Sequence, residues 1–365
     1  MPTALIHHRL TVDLKSQAYP ILIGESLLQD DALLAQFIDG HQVMVVSQQP
    51  IASHYLHYLS ASLKKYHVDH FIFKAGEQYK TVDQWEKLLV AMLRHKHDRS
   101  TTLIALGGGV VGDLTGFAAA CFMRGINYLQ IPTTLIAQVD AAVGGKTAVN
   151  HPLGKNLIGA FHHPKAVLID VQTLSTLPPR EFIAGLAEAI KYGLIMDEAF
   201  FAWIESNLQS ILAKDAATLL TLIQRCLALK ASLVSEDEKD MGRRSLLNFG
   251  HTFGHALEAH GEYKTLIHGE AVAIGMLMAA EVSHRLNHLS TAHLARIKKL
   301  IYHCGLGRWV GERPSADTLI AFMQQDKKNK QHKLVLILLQ RLGEAYKAVD
   351  VPVDLLTRAI ACVDL

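Results

Sequence analysis

Leu103-Ile104-Ala105-Leu106-Gly107-Gly108-Gly109-Val110-Val111-Gly112-Asp113, running on into the apolar segment Leu114 to Cys121, reads as a buried strand, a glycine turn and a helix N-terminus. Such a junction forms an anion site, because free backbone N–H groups and the positive end of the helix dipole face the same point. Gly107, Gly109 and Gly112 match the spacing GxGxxG. The match is weak by itself: it does not open the first strand–helix–strand unit, and no acidic residue stands about 20 positions on to hold a ribose. A tight turn with close helix–strand packing would give the same pattern. The functional reading is a nucleotide pyrophosphate at the turn.

Working outward, short apolar runs alternate with helical patterns. Tyr19 to Gly24, Gln42 to Ser47, His70 to Phe73, Thr101 to Leu106, Tyr128 to Pro132 and Ala166 to Asp170 read as strands. Ile51 to Tyr66 and Val82 to His95 read as helices between them. This alternation predicts an α/β domain with a mostly parallel sheet. At Thr176-Leu177-Pro178-Pro179 the pattern breaks, and helical periodicity dominates from there on. The expected fold is an N-terminal, mostly parallel α/β nucleotide-binding domain over 1–178, then an all-helical metal- and substrate-binding domain over 179–365.

The chain has 365 residues, half of them hydrophobic and 19% charged, which fits a large packed core and argues against disorder. A formal charge of +2 gives no bulk attraction to nucleic acid or a membrane surface, so neither is expected as a partner. Cys121, Cys226, Cys304 and Cys362 lack CxxC spacing and read as thiols in a reducing compartment. Met1 to Leu10 has no apolar core of a signal peptide, and stretches such as Ala271 to Ala280 are too short to span a bilayer. A cytoplasmic location is the expectation.

Asn248-Phe249-Gly250-His251-Thr252-Phe253-Gly254-His255 sets two histidines four apart, on one helical face, and His268 follows just before another helical run. Imidazoles so placed are candidate ligands for a zinc-class ion, although 21 histidines in the chain make chance pairs common. Glu188 and Lys191, at i,i+3 in an apolar helix, read either as a partly buried ion pair or as a metal-binding carboxylate beside a substrate-binding cation. Lys146, Lys155, Lys230 and Arg244 sit beside glycines or in apolar stretches, where they suit a substrate carrying phosphate or carboxylate.

Gly76-Glu77-Gln78-Tyr79-Lys80, Gly107 to Asp113, Ile131-Pro132-Thr133-Thr134-Leu135, Asp140 to Thr147, Glu188 to Gly193 and Arg244 to His251 together resemble the 3-dehydroquinate synthase family. These motifs follow the family's order and spacing from about Gly76 to Lys328. The resemblance implies a divalent-metal- and NAD-dependent phosphorus–oxygen lyase of the shikimate pathway and of aromatic amino acid and chorismate biosynthesis. It would convert the sugar phosphate 3-deoxy-D-arabino-heptulosonate 7-phosphate to 3-dehydroquinate and phosphate. The route is transient oxidation by NAD, β-elimination of phosphate, re-reduction, ring opening and intramolecular aldol closure.

By motif position, the resemblance makes Glu188, His251 and His268 the ligands of Zn2+ or Co2+. His255 becomes a catalytic acid–base or substrate contact, with Lys146, Lys191, Asp240, Arg244 and Asn248 as its catalytic companions. NAD contacts fall on Gly76, Glu77, Gln78, Tyr79, Lys80, Gly108, Gly109, Val110, Val111, Gly112 and Asp113. They continue through Thr133, Thr134, Lys146, Lys155, Thr173, Leu174, Ser175 and Thr176. Substrate contacts fall on Arg124, Asp140, Lys146, Asn156, Lys191, Lys230, Arg244, Asn248 and Lys328. A homodimer is implied in the same way. The chain departs from the family at Val46-Ser47-Gln48-Gln49, near the expected adenosine ribose, at Asp240, where many members have glutamate, and at His162-His163-Pro164.

Two other functions share much of this pattern. Other sugar phosphate cyclases, such as 2-deoxy-scyllo-inosose or epi-valiolone synthases, handle substrates without the carboxylate; Lys230, Arg244 and Asn248 together favour the heptulosonate. A metal-dependent polyol dehydrogenase would release NADH and has no need of so many anion-directed lysines.

Overall fold

A computed structural model describes residues 4–14, 17–309, 313–324 and 334–362. The chain divides into two compact units, Met1–Pro178 with Leu219–Lys239, and Pro179–Thr218 with Asp240–Leu365. The first half contains β1 (Leu5–Asp13), β2 (Ala18–Glu25), α1 (Asp31–Ala35), β3 (Gln42–Gln48), α2 (Gln49–Ser62) and β4 (His67–Phe73). It continues with α3 (Val82–Arg94), β5 (Thr102–Gly107), α4 (Gly109–Cys121), β6 (Asn127–Pro132), β7 (Lys146–His151), β8 (Gly154–Phe161) and β9 (Ala166–Asp170). Then come α5 (Pro179–Met196), α6 (Glu198–Leu212), α7 (Ala216–Glu236), α8 (His251–His260), α9 (His268–Arg285), α10 (Thr291–His303) and α11 (Ala316–Gln324). The hairpin β10 (Val335–Arg341) and β11 (Glu344–Val349) precedes α12 (Val353–Cys362).

A seven-stranded sheet in the order β1-β2-β9-β6-β5-β3-β4 forms the first unit; only β1 is antiparallel to its neighbour. Its inner strands are apolar without alternation because both faces are covered. Val43, Val45, Ile104, Leu106, Leu129 and Ile131 pack with Leu59 of α2 and with Leu63 just after it on one face. Met44, Val46, Leu103, Ala105 and Tyr128 pack with Val111, Leu114 and Ala118 of α4 on the other. The helices that follow β3 and β5 thus leave to opposite faces, and the carboxyl ends of these two strands form the crevice where open α/β sheets bind ligands.

Two features differ from the sequence reading. Leu219–Lys239, expected with the helical half, packs with the α/β half. There the Lys230 ammonium donates to the Asp140 carbonyl at 2.6 Å and meets its carboxylate at 2.8 Å. By length and composition α7 could cross a bilayer, but over half of its most apolar window, 56%, is buried within the protein. The second departure is that the C-terminal unit is not all-helical. Its β10–β11 hairpin turns at Gly343, whose φ of +82° is the left-handed conformation that glycine adopts without strain. The Leu-rich run of β10 has neither the alternation nor the β-branched content that separates a strand from a helix in sequence.

In the second unit α9 is nearly wholly buried and packs against α5 and α8 at glycines. A Cβ on Gly275 would stand 2.0 Å from the Gly250 carbonyl oxygen, and one on Gly269 2.0 Å from that of Ala184. Glycine to alanine in a helix interior normally gains about 1 kcal/mol. At Gly275 the overlap with backbone dominates, so Gly275→Ala is expected to destabilise by about 1–3 kcal/mol. A lowered urea midpoint would record it.

Candidate active site

Three side chains from three helices of the second unit converge on one point. Glu188 lies in the middle of α5, 1% exposed, and His251 and His268 are the first residues of α8 and α9. Gly250, at φ +77°, makes the turn that starts α8 at His251. The start of α9 is held by Glu270, which accepts the Ile267 N–H at 3.1 Å and is gripped by the Arg180 fork through two 2.7 Å bonds.

The ring orientations follow from their partners. Nδ1 of His251 donates to the Phe249 carbonyl at 3.1 Å, and Nδ1 of His268 faces the Glu258 carboxylate at 3.4 Å. Each ring therefore turns its Nε2 toward Glu188 Oε1, both at 3.6 Å. In a tetrahedral site with bonds of about 2.0–2.2 Å the ligand atoms stand about 3.3–3.6 Å apart. Two imidazoles on one such ion have centroids about 5.3 Å apart by the same geometry. The centroids of His251 and His268 are 5.3 Å apart. The donor set thus fits a divalent ion without rearrangement. The other Glu188 oxygen pairs with the Lys191 ammonium, so this carboxylate is shared between the cluster and a buried cation.

A second, overlapping group joins His255, Glu258 and His268, again with ligand atoms within 4.8 Å of one another. Glu258 was absent from the residues singled out by sequence. It lies at i+7 from His251 and i+3 from His255, on the same face of α8, and is 3% exposed. Burial would depress the His268 imidazole, but Glu258 and Glu188 outweigh it and raise its pKa to about 10. Elsewhere in this unit, Arg244 is 2% exposed, Asn248 donates to the Ser245 carbonyl at 3.0 Å, and Asp240 is held at φ +57°.

The glycine turn of the first unit lies at the carboxyl end of β5, as the sequence indicated. A Cβ on Gly107 would meet Val111 at 2.5 Å and one on Gly112 would meet Gln130 at 2.7 Å, so these two glycines serve close helix–strand packing. Gly108 and Gly109 open α4 beside Thr134 and Ala141. Beside them the Thr133 hydroxyl is buried with no hydrogen-bond partner, which fits a polar group bound at the turn. Lys80, 4% exposed, pairs with Asp113 and donates to Asn156 Oδ1 at 2.6 Å. Burial would lower this ammonium, but Asp113 and Glu77 hold it above its ordinary value. Glu77 is fixed by Asn150 at 2.7 Å.

The Thr173 hydroxyl caps back onto the Asp170 carbonyl at 2.7 Å, and Tyr55 donates to the Thr173 carbonyl at 3.0 Å. Leu174 is buried, and the Ser175 hydroxyl donates to the Gln172 carbonyl. At the divergent turn, Ser47 donates to the Leu106 carbonyl at 2.7 Å and Gln48 to that of Lys74 at 3.3 Å. His162 stacks on Tyr128 and His163 meets Glu238 at 3.2 Å, so this pair packs the first unit together. Lys146 is exposed at the start of β7, Lys155 is half-buried on β8, and Arg124 is exposed at φ +68°. Lys328 lies outside the described residues.

Comparison with known proteins finds relatives of both halves of the chain. Residues 70–184 match the family model for the 3-dehydroquinate synthase N-terminal domain, and residues 185–329 that for its C-terminal domain. A 3-dehydroquinate synthase of Coxiella burnetii (strain CbuG_Q212) is 51% identical over 338 residues, 92% of this chain and 94% of that protein. A structure of 2-deoxy-scyllo-inosose synthase complexed with carbaglucose-6-phosphate, NAD+ and Co2+ superposes with a TM-score of 0.88 at 28% identity, over 97% of this chain and 99% of that one. The 2-epi-5-epi-valiolone synthase of Streptomyces hygroscopicus subsp. jinggangensis 5008, with NAD+ and Zn2+ bound, gives 0.88 at 27%, over 96% and 98%. The identity to the dehydroquinate enzyme is thus nearly twice that to either cyclase. With both of its domain models matched and half its residues identical over almost the whole length, the chain belongs to the 3-dehydroquinate synthase family.

Proposed function

We propose how this enzyme distributes over its own residues the conversion of 3-deoxy-D-arabino-heptulosonate 7-phosphate to 3-dehydroquinate and phosphate. Glu188, His251 and His268 hold the divalent ion; the convergence of both imidazole Nε2 atoms on Glu188 Oε1 at 3.6 Å supports this assignment. When bound, the ion supplies a Lewis acid for the hydroxyl being oxidised, and NAD supplies a reversible hydride acceptor. Glu258 fixes the tautomer and aim of His268, the role of a carboxylate behind a metal-bound histidine. His255, one turn from His251, takes and returns protons, with Asp240 as a second carboxylate.

The substrate's two anionic ends call for cations held rigidly. Lys191, Lys230 and Arg244 are each at most 5% exposed, so their ammonium and guanidinium groups are poorly hydrated and act strongly on phosphate or carboxylate. Lys146, Arg124, Asn156, Asp140 and Asn248 complete substrate binding, and Lys328 is assigned with them by motif position alone. The turn Gly108 to Asp113, with Gly76 to Lys80, Thr133, Thr134, Lys155 and Thr173 to Thr176, cradles the dinucleotide. Its support is the α4 N-terminus at the sheet crevice and the buried Thr133 hydroxyl. Zinc is the preferred ion because the donors are imidazole and carboxylate; cobalt suits the same set. A cytoplasmic location is in keeping with cysteines such as Cys121 and Cys304 that are not joined in disulfides, and a homodimer with the family resemblance.

The test is a balance of products. With NAD, zinc and the heptulosonate phosphate, phosphate and dehydroquinate should appear in equal amounts with no net NADH; stoichiometric NADH would overturn the reading. A second expectation follows from His268. A pKa raised to about 10 from 6.5 means that its favourable charge is present below pH 6.5 and lost as pH rises through 10. Metal needs the neutral ring, so near pH 8 zinc uptake by the metal-free protein should release about one proton per ion. Calorimetry in buffers of different ionisation enthalpy reads this directly.

A further inference from the structure

One side chain outside all the motifs joins the residues assigned to the dinucleotide with one assigned to the substrate. Asn150 stands at the irregularity of the β7–β8 ladder, where the pairing jumps from Val149 to His151. A bulge of this kind turns a residue out of its own ladder and re-aims its side chain. Asn150 pairs instead, in parallel, with Thr81, and its N–H donates to the Lys80 carbonyl at 2.7 Å.

The Asn150 amide works in two directions. Its Nδ2 donates to Glu77 Oε1 at 2.7 Å, and its Oδ1 accepts the Asn156 N–H at 3.0 Å. This orientation is forced, because an ionised carboxylate can only accept and a peptide N–H can only donate. Asn156 is held at φ +55°, in the left-handed region that most side chains avoid and asparagine tolerates. Its Oδ1 accepts from the Lys80 ammonium at 2.6 Å, which again can only donate. The Asn156 amide therefore turns its Nδ2 hydrogens away from Lys80, where they can donate to oxygens of a bound molecule. The group is closed on itself. Asn150 grips the Gly76–Lys80 segment at two points, Lys80 grips Asn156, and Asn156 returns to Asn150.

We propose that Asn150 is a positioning residue that locks the Gly76–Lys80 segment, assigned to NAD, to Asn156, assigned to the substrate. The inference rests on those two assignments. Hydride transfer needs acceptor and carbinol in near contact, and a misplacement of about 1 Å can cost about 100-fold in rate. Chain connectivity does not supply that register, since Lys80 and Asn156 are 76 residues apart. Asparagine suits the position because it presents a donor and an acceptor from one planar group. Aspartate would lose the donor, and alanine both.

The test is a pair of constants measured on wild type, Asn150→Ala and Asn150→Asp. These are the Kd for NADH, by fluorescence titration, and the KM for the heptulosonate phosphate at saturating NAD. Asn150→Ala should raise each about 10-fold, the worth of one hydrogen bond to a charged group. Asn150→Asp keeps an acceptor for the Asn156 N–H but sets a carboxylate against Glu77. Its NADH Kd should rise at least as far, while the KM moves less. A role in folding alone would lower the active fraction, and so kcat, and leave both constants at wild-type values; that result would overturn the proposal. Asn156→Ala checks the underlying assignment separately. An unchanged KM there would remove Asn156 from the substrate site, and the coupling with it. A raised KM there, with Asn150→Ala unaffected, would sink the coupling and leave the assignment of Asn156 standing.

Discussion

His268→Ala should lower kcat/KM by at least about 10³-fold, some 4 kcal/mol of barrier, because a Lewis acid at the reacting hydroxyl contributes several kcal/mol. The loss should come with loss of bound metal while the fold persists, since the ring is 37% exposed at the start of α9 and that helix is set by Arg180 and Glu270. Glu258→Gln is the informative companion. It keeps the shape but not the charge that steers His268 Nδ1, 3.4 Å away, and should weaken metal binding by about 10–100-fold without abolishing turnover at saturating metal. Metal content and rates measured on the same preparations check both. Full activity of His268→Ala without metal would refute the ligand set; an unchanged metal affinity in Glu258→Gln would leave that carboxylate with only a packing role.

The central strands were legible because burial on both faces writes continuous apolar runs, and glycine marks where α4 leaves β5. The hairpin β7–β8 was not: its outer strand is mostly exposed and carries Lys155 and Asn156, so it reads as a polar constellation rather than a strand. The packing of α7 with the α/β unit was also hidden. Nothing local distinguishes its apolar face from those of α5 or α6; the distinction arises from partners such as Asp140, 90 residues away. At the site, helical spacing alone put His251 and His255 on one face, and the family resemblance separated their roles. Glu258 continues that face at i+7, a signal present in sequence but easily passed over without a tertiary partner to demand it.

Asp113→Ala is expected to destabilise the first unit by about 3 kcal/mol, the lower end of the cost of removing one partner from a buried ion pair. The lower end applies because the Asp113 side chain is 21% exposed, so water can screen part of what is lost. Lys80 cannot escape in the same way: it is 4% exposed, and the interaction that remains with Asn156 Oδ1 at 2.6 Å is with a neutral amide. Removing both charges together should undo most of this, since a buried pair replaced by apolar groups of similar volume is often near neutral. The urea midpoint should therefore fall clearly in Asp113→Ala and return toward wild type in Lys80→Met/Asp113→Leu. NAD affinity behaves differently if these residues cradle the dinucleotide, because the double variant restores packing but not the ammonium or the carboxylate. Restored stability with absent NAD binding is the expected outcome, read by denaturation and by fluorescence titration of NADH. A double variant that binds the dinucleotide as tightly as wild type would remove Lys80 and Asp113 from the cradle and leave the pair a purely structural one.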